Sequence, residues 1–195
     1  MDDVPSLVFY FDYVDPGSYL MHRQLGQILP DGIDPIRHPF EICPVPHELI
    51  DGSGPDWKTY GETVADLARE AKIQMVHPSF IPWSRKAHEL RLHAADQGLE
   101  SPMHEEVFSA RFREGADIGR VDVLVAAAEK VGLDRSESKA VLDVDKHRDR
   151  VVDLRREAEA SGVLRVPTLR SGDVSLEGPA SMGELRHFLA SVRLL

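Results

Sequence analysis

The chain opens on a continuous apolar run, Leu7-Val8-Phe9-Tyr10-Phe11, that stops at Asp12-Tyr13-Val14-Asp15-Pro16-Gly17. Aromatic and β-branched residues without polar alternation predict a strand buried on both faces, in the middle of a sheet of parallel type. Asp15 followed by Pro16 reads as a helix start, with Asp as N-cap and Pro at the first helical position. Tyr19, Leu20, Leu25, Ile28 and Leu29 carry that helix to Pro30. Ile36 to Ile42 alternates apolar and polar residues and predicts a second strand, although Pro39 withholds one ladder hydrogen bond. The right-handed crossover rule makes it parallel to the first.

Cys43 to Trp57 is rich in Pro and Gly, which is loop chemistry, and from Lys58 to Val144 nearly everything reads as helix. Val121, Leu124, Val125 and Ala128 fall at i, i+3, i+4 and i+7, one buried face, and Gly132 closes that helix. Asp134 with Glu137 predicts a capping box. Val151, Leu154 and Ala158 share one face of a helix within Asp145 to Ser161, stopped by Gly162. Strand patterning returns at Leu164 to Leu169 and at Val174 to Leu176. A final helix from Ser181 to Val192 turns Met182, Leu185, Phe188 and Leu189 inward.

Composition narrows the function classes. With 195 residues, 42% hydrophobic and 29% charged, the chain has the makings of a folded core. Its net charge of −10, without a basic stripe, disfavours nucleic acid. A single cysteine, Cys43, excludes an intrachain disulfide and fits a reducing compartment. Met1-Asp2-Asp3 is acidic where a leader would be basic, and Leu7 to Phe11 is too short to span a membrane. A cytoplasmic protein without a membrane partner is expected.

Three stretches carry a resemblance. They are Phe9-Tyr10-Phe11-Asp12 with Asp15-Pro16-Gly17-Ser18-Tyr19-Leu20; Ser84-Arg85-Lys86-Ala87-His88-Glu89-Leu90 through Phe108 to Asp117-Ile118-Gly119; and Gly162-Val163-Leu164-Arg165-Val166-Pro167-Thr168-Leu169. Together they resemble the DsbA-like thioredoxin group in its FrnE branch, a neighbour of the 2-hydroxychromene-2-carboxylate isomerases and kappa-class glutathione transferases. The resemblance implies an α/β, thioredoxin-like fold with a large all-helical insertion. Residues 1–52 plus 145–195 would form the thioredoxin-like domain and 53–144 the insertion.

The family's first βα turn carries Cys-Pro-x-Cys in the oxidoreductases and Ser-Pro-x-Ser in the isomerases and transferases. Here the turn is Asp15-Pro16-Gly17-Ser18, which matches neither version. A dithiol cycle needs an attacking thiolate and a resolving thiol, so Asp15 and Ser18 cannot run one. Two readings of the turn follow. In one, the cleft binds a small molecule, an extended peptide or a protein partner without redox chemistry. In the other, Asp15 acts as acid or base and Ser18 as hydrogen-bond donor in a glutathione-dependent isomerase or transferase. Against the second, an anionic Asp15 at the positive end of a helix should have a lowered pKa and repel a thiolate. Gly178-Pro179-Ala180-Ser181 also lacks the acid that holds the γ-glutamyl group in that branch.

Resemblance further implies a cis Val166-Pro167 bond opposite the Asp15 turn, with the backbone of Val166 pairing with an extended substrate or glutathione. Pro16 and Gly17 complete the facing turn, and Ser181 either caps the last helix or binds a ligand carboxylate. Glutathione is the one cofactor implied, and a homodimer follows from the related transferases. Cys43, after the second strand, lies at the sheet edge where α/β folds bind ligands and is a monothiol candidate, although a buried hydrophobe is the commoner fate of such a residue. No metal is expected: His88 and His93 are five apart, about 140° round a helix, where ligation on one face needs i and i+4. Gly52 to Thr59 lacks the Gly-Lys of a phosphate loop. Trp57, Phe80 and Trp83, in the insertion that caps the cleft, read as core.

Overall fold

Strands β1 (Val8–Phe11), β2 (Ile36–Pro39), β3 (Thr168–Ser171) and β4 (Val174–Glu177) form one sheet in the order β2-β1-β3-β4. The computed structural model describes residues 6–195, so Met1-Asp2-Asp3 lies outside it. β1 pairs in parallel with β2, Val8 opposite Ile36, and antiparallel with β3, Val8 opposite Arg170. The expected run is therefore central, in a mixed sheet. Pro39 ends β2, an edge strand, where its missing N–H costs no ladder bond. β3 begins only at Thr168, after the cis Val166-Pro167 bond, and the exposed Leu164 lies outside it. A two-residue turn with Gly172 at φ 58° joins β3 to β4.

Helix α1 (Pro16–Ile28) follows β1, and six helices follow β2: α2 (Pro55–Glu70), α3 (Arg85–Asp96), α4 (Glu100–Phe112), α5 (Val121–Lys130), α6 (Arg135–Asp143) and α7 (Arg148–Ala160). Helix α8 (Met182–Ser191) closes the chain. The helical block is less continuous than its composition suggests, because residues 73–84 run without helix through Pro78 and Pro82. The capping box expected at Asp134 is one-sided, with only the Glu137 N–H donating to Asp134 (2.8 Å). A reciprocal box occurs instead at Ser181 and Glu184, at the head of α8.

Alternation along β1 divides the core. Phe9 and Phe11 join the main apolar cluster with Tyr13, Leu20, Leu90 and Phe108. Tyr10 faces the other way, onto Phe40, Ala158, Val163 and Val166. Arg155 of α7 lies over the Phe40 ring at 4.3 Å. Two buried polar pairs fasten α3 to the strand ends: His88 Nε2 with Asp12 Oδ1 (3.1 Å) and Arg85 with Glu41 (2.9 Å). These contacts tie α3 to the residues that follow β1 and β2. No helix among the described residues is long and apolar enough to cross a membrane.

Candidate functional site

Asp15 caps α1 from an extended backbone (φ −86°, ψ 116°). Its Oδ2 accepts from the Ser18 N–H (2.7 Å) and the Ser18 hydroxyl (2.6 Å), and its Oδ1 from the Gly17 N–H (3.3 Å). A fourth donor, the Tyr60 hydroxyl of α2, reaches Oδ1 at 2.7 Å. The side chain is 2% exposed. The sequence reading, a lowered pKa, is corrected here: burial pushes Asp15 up to about 6. Desolvation outweighs the hydrogen bonds from Ser18 and Tyr60, no basic side chain among the described residues pairs with the carboxylate, and the neighbouring Asp12 adds to the rise.

Ser18 is committed within the turn. Its hydroxyl donates to Asp15 and accepts from the Asp12 N–H at 3.3 Å. Gly17 is the point of convergence, since a Cβ there would stand 2.3 Å from the Tyr60 hydroxyl and 3.0 Å from Pro167 Cδ. The cis Val166-Pro167 peptide thus lies against the Asp15 turn. Val166 is buried, and no hydrogen bond among the described residues engages its N–H or C=O. Pro16 and Val14, on either side of Asp15, line a cavity of about 300 Å³. Trp57, Ala65 and Phe112 form its apolar walls, and Lys58, Glu62 and Arg111 carry its charges.

Other candidates sit apart from this cluster. Cys43 is buried with its thiol donating to the Glu48 carbonyl, and burial pushes the thiol pKa up. Ser181 caps α8, its hydroxyl donating to the Glu184 carboxylate and accepting from the Glu184 N–H. Phe80 and Trp83, expected in the core, are 52% and 43% exposed because they stand on the extended, Pro-containing segment and not on a helix face. Trp57 is half-buried and lines the cavity.

Tyr60 and Arg111 were not singled out by sequence. Tyr60 shares a helical face with Trp57 and Val64, a spacing that reads as packing and gives no sign of a carboxylate at its tip. Asp12 is a third such residue, fully buried between His88 and the Ile42 N–H. Chemically, the assembled turn can hold and exchange a proton near neutral pH, and it contains no thiol.

The model of the DSBA-like thioredoxin domain matches residues 6–190, and the chain belongs to that family. A relative, the uncharacterized protein YwbO of Bacillus subtilis (strain 168), is 26% identical over 177 residues, 88% of each chain. Among solved structures, a 2-hydroxychromene-2-carboxylate isomerase superposes with a TM-score of 0.78 at 21% identity, covering 96% of this chain and 95% of its own. The cytosolic disulfide reductase DsbM of Pseudomonas aeruginosa, solved with glutathione, gives 0.67 at 18% identity, covering 97% and 100%. The fold is thus common to redox and non-redox proteins, and with one cysteine this chain has no redox pair.

Proposed function

We propose that this protein is a non-dithiol member of the family that binds a ligand in the cleft between the Asp15 turn, the cis-proline loop and α2. Asp15 is the group that exchanges a proton with the ligand or hydrogen-bonds to it. The observation that carries the reading is a buried carboxyl with a pKa raised to about 6, where the resemblance places the first redox cysteine, beside an apolar cavity. The free backbone groups of Val166 would pair with an extended part of the ligand. A cytoplasmic location and a homodimer belong to the same proposal.

Glutathione-dependent isomerisation or transfer is the second reading, favoured by one observation. A carboxyl with a pKa near 6 is protonated in roughly a tenth of molecules at pH 7, and that form donates a hydrogen bond to a thiolate. This relieves the repulsion expected of a permanent anion. The fold neighbour solved with glutathione is in keeping with this reading.

Insulin reduction and a thermal-shift titration with reduced and oxidised glutathione separate the cases. A ligand at about 100 times its Kd stabilises a fold by roughly 2.7 kcal/mol. The primary reading expects no dithiol-dependent insulin reduction and no shift at millimolar glutathione. Robust insulin reduction would overturn both readings, and a clear shift moves the protein to the second.

A further inference from the structure

Arg111 is the bulkiest of the fully buried side chains, at 2% exposure, and it lines the cavity beside Asp15. Among the described residues no carboxylate lies within ion-pair distance of it. Its guanidinium donates to the carbonyls of Phe80 and Ala116, and its Nε has no hydrogen-bond partner. Three other arginines with little exposed side chain are each matched by an acid, Arg37 by Asp34, Arg85 by Glu41 and Arg91 by Glu100. Asp117, an acid whose charge acts on Arg111, does not ion-pair with it and accepts from the Gly119 N–H. A buried charge without a partner is costly, and natural interiors pair such groups.

We infer that the ligand of this cleft is a small organic monoanion, a carboxylate on an apolar body, and that Arg111 supplies its counter-charge. This rests on the reading that the cleft beside Asp15 takes a ligand. Three features define the class. The walls Trp57, Ala65, Pro78 and Phe112 accept an apolar body, in a volume at the lower end of small-molecule sites. Arg111 and Lys58 stand against Glu62 alone, which leaves the lining one positive charge in a chain of net charge −10. A dianion would keep one charge uncompensated and facing Glu62, so a single carboxylate fits and a phosphate monoester does not. The planar guanidinium also matches a carboxylate in geometry.

The test is calorimetric titration of the full chain with 2-naphthoate and with its neutral isostere 2-naphthamide, well above the acid's own pKa. The acid is expected to bind about tenfold or more tightly than the amide. R111M should abolish that preference while leaving the amide affinity unchanged. Where R111M does not fold, A65W fills the cavity and should remove binding of both compounds. A preference for the acid that survives R111M, or acid binding that survives A65W, places the anion elsewhere and overturns the inference. Equal affinity for acid and amide overturns it too, but leaves the cleft-binding reading standing. Binding of neither compound counts against both.

Discussion

The Tyr60 hydroxyl of α2 donates to Oδ1 of Asp15 at 2.7 Å, joining the first helix of the insertion to the turn that ends β1. The bond favours the charged carboxylate and holds its pKa below the value that burial alone would set. Tyr60→Phe should therefore raise the Asp15 midpoint above 6. A hydrogen bond to a charged group contributes about 1.5–3 kcal/mol, so the rise should be about one to two pH units. Carboxyl carbon NMR titration reads it directly, and an unchanged midpoint would show that the hydroxyl does not stabilise the anion.

Asp15 also makes stability depend on pH. Its folded pKa is about 6 against 3.8 for the ordinary group, so between these values the folded state binds more protons than the unfolded one. Stability from this residue is complete below about pH 4 and is lost as pH rises through 6, a change of about 3 kcal/mol. Asp15→Asn should remove that fall. In urea unfolding from pH 4 to pH 8, the variant gains on the parent as pH rises; parallel curves would contradict the raised pKa.

At Gly17 the space is already taken by Tyr60 and Pro167. Gly17→Ala should cost about 1–3 kcal/mol through overpacking. Adding Tyr60→Phe removes the atom 2.3 Å from the new methyl and should recover part of the loss. A double-mutant cycle measures the coupling, and strictly additive losses would mean that the two residues do not meet.

Asp12 is fully buried, accepting from the Ile42 N–H (2.7 Å) and contacting His88 Nε2 (3.1 Å). Asp12→Ala leaves a backbone donor and a buried imidazole without their acceptor. The expected destabilisation is about 3–5 kcal/mol, as for removal of one member of a buried pair. Chemical denaturation gives the value, and a loss below about 1 kcal/mol would show the pair to be dispensable.

For Cys43 the expectation is inertness. With the thiol buried, donating to the Glu48 carbonyl and raised in pKa, little thiolate is present to react. Ellman's reagent should label the native protein at least about tenfold more slowly than the unfolded chain. Cys43→Ala should leave ligand affinity intact. Fast labelling of native protein would revive a monothiol mechanism.

Local chemistry was legible along the chain. The apolar run of β1, the Asp15-Pro16 helix start, the Val121 to Ala128 face and the stop at Gly162 each depend on residues within a few positions of one another. Short-range propensity and capping act at that range, so a linear reading finds them. The cis Val166-Pro167 bond was reached through family resemblance, because proline permits the cis form without requiring it.

The protonation of Asp15 was settled by packing. The N-cap position argues for an acidic carboxyl, but the insertion covers it, and desolvation outweighs the helix terminus and its donors. Tyr60 meets Asp15 across 45 positions, and Arg111 comes to line the cavity beside Asp15 from 96 positions further along the chain. The sequence by itself determined most of the elements, the family and the absence of a redox pair. Tertiary structure decided which side chains share the cleft and which charges it leaves unpaired, because burial and convergence depend on how distant segments cross, and no local spacing encodes that.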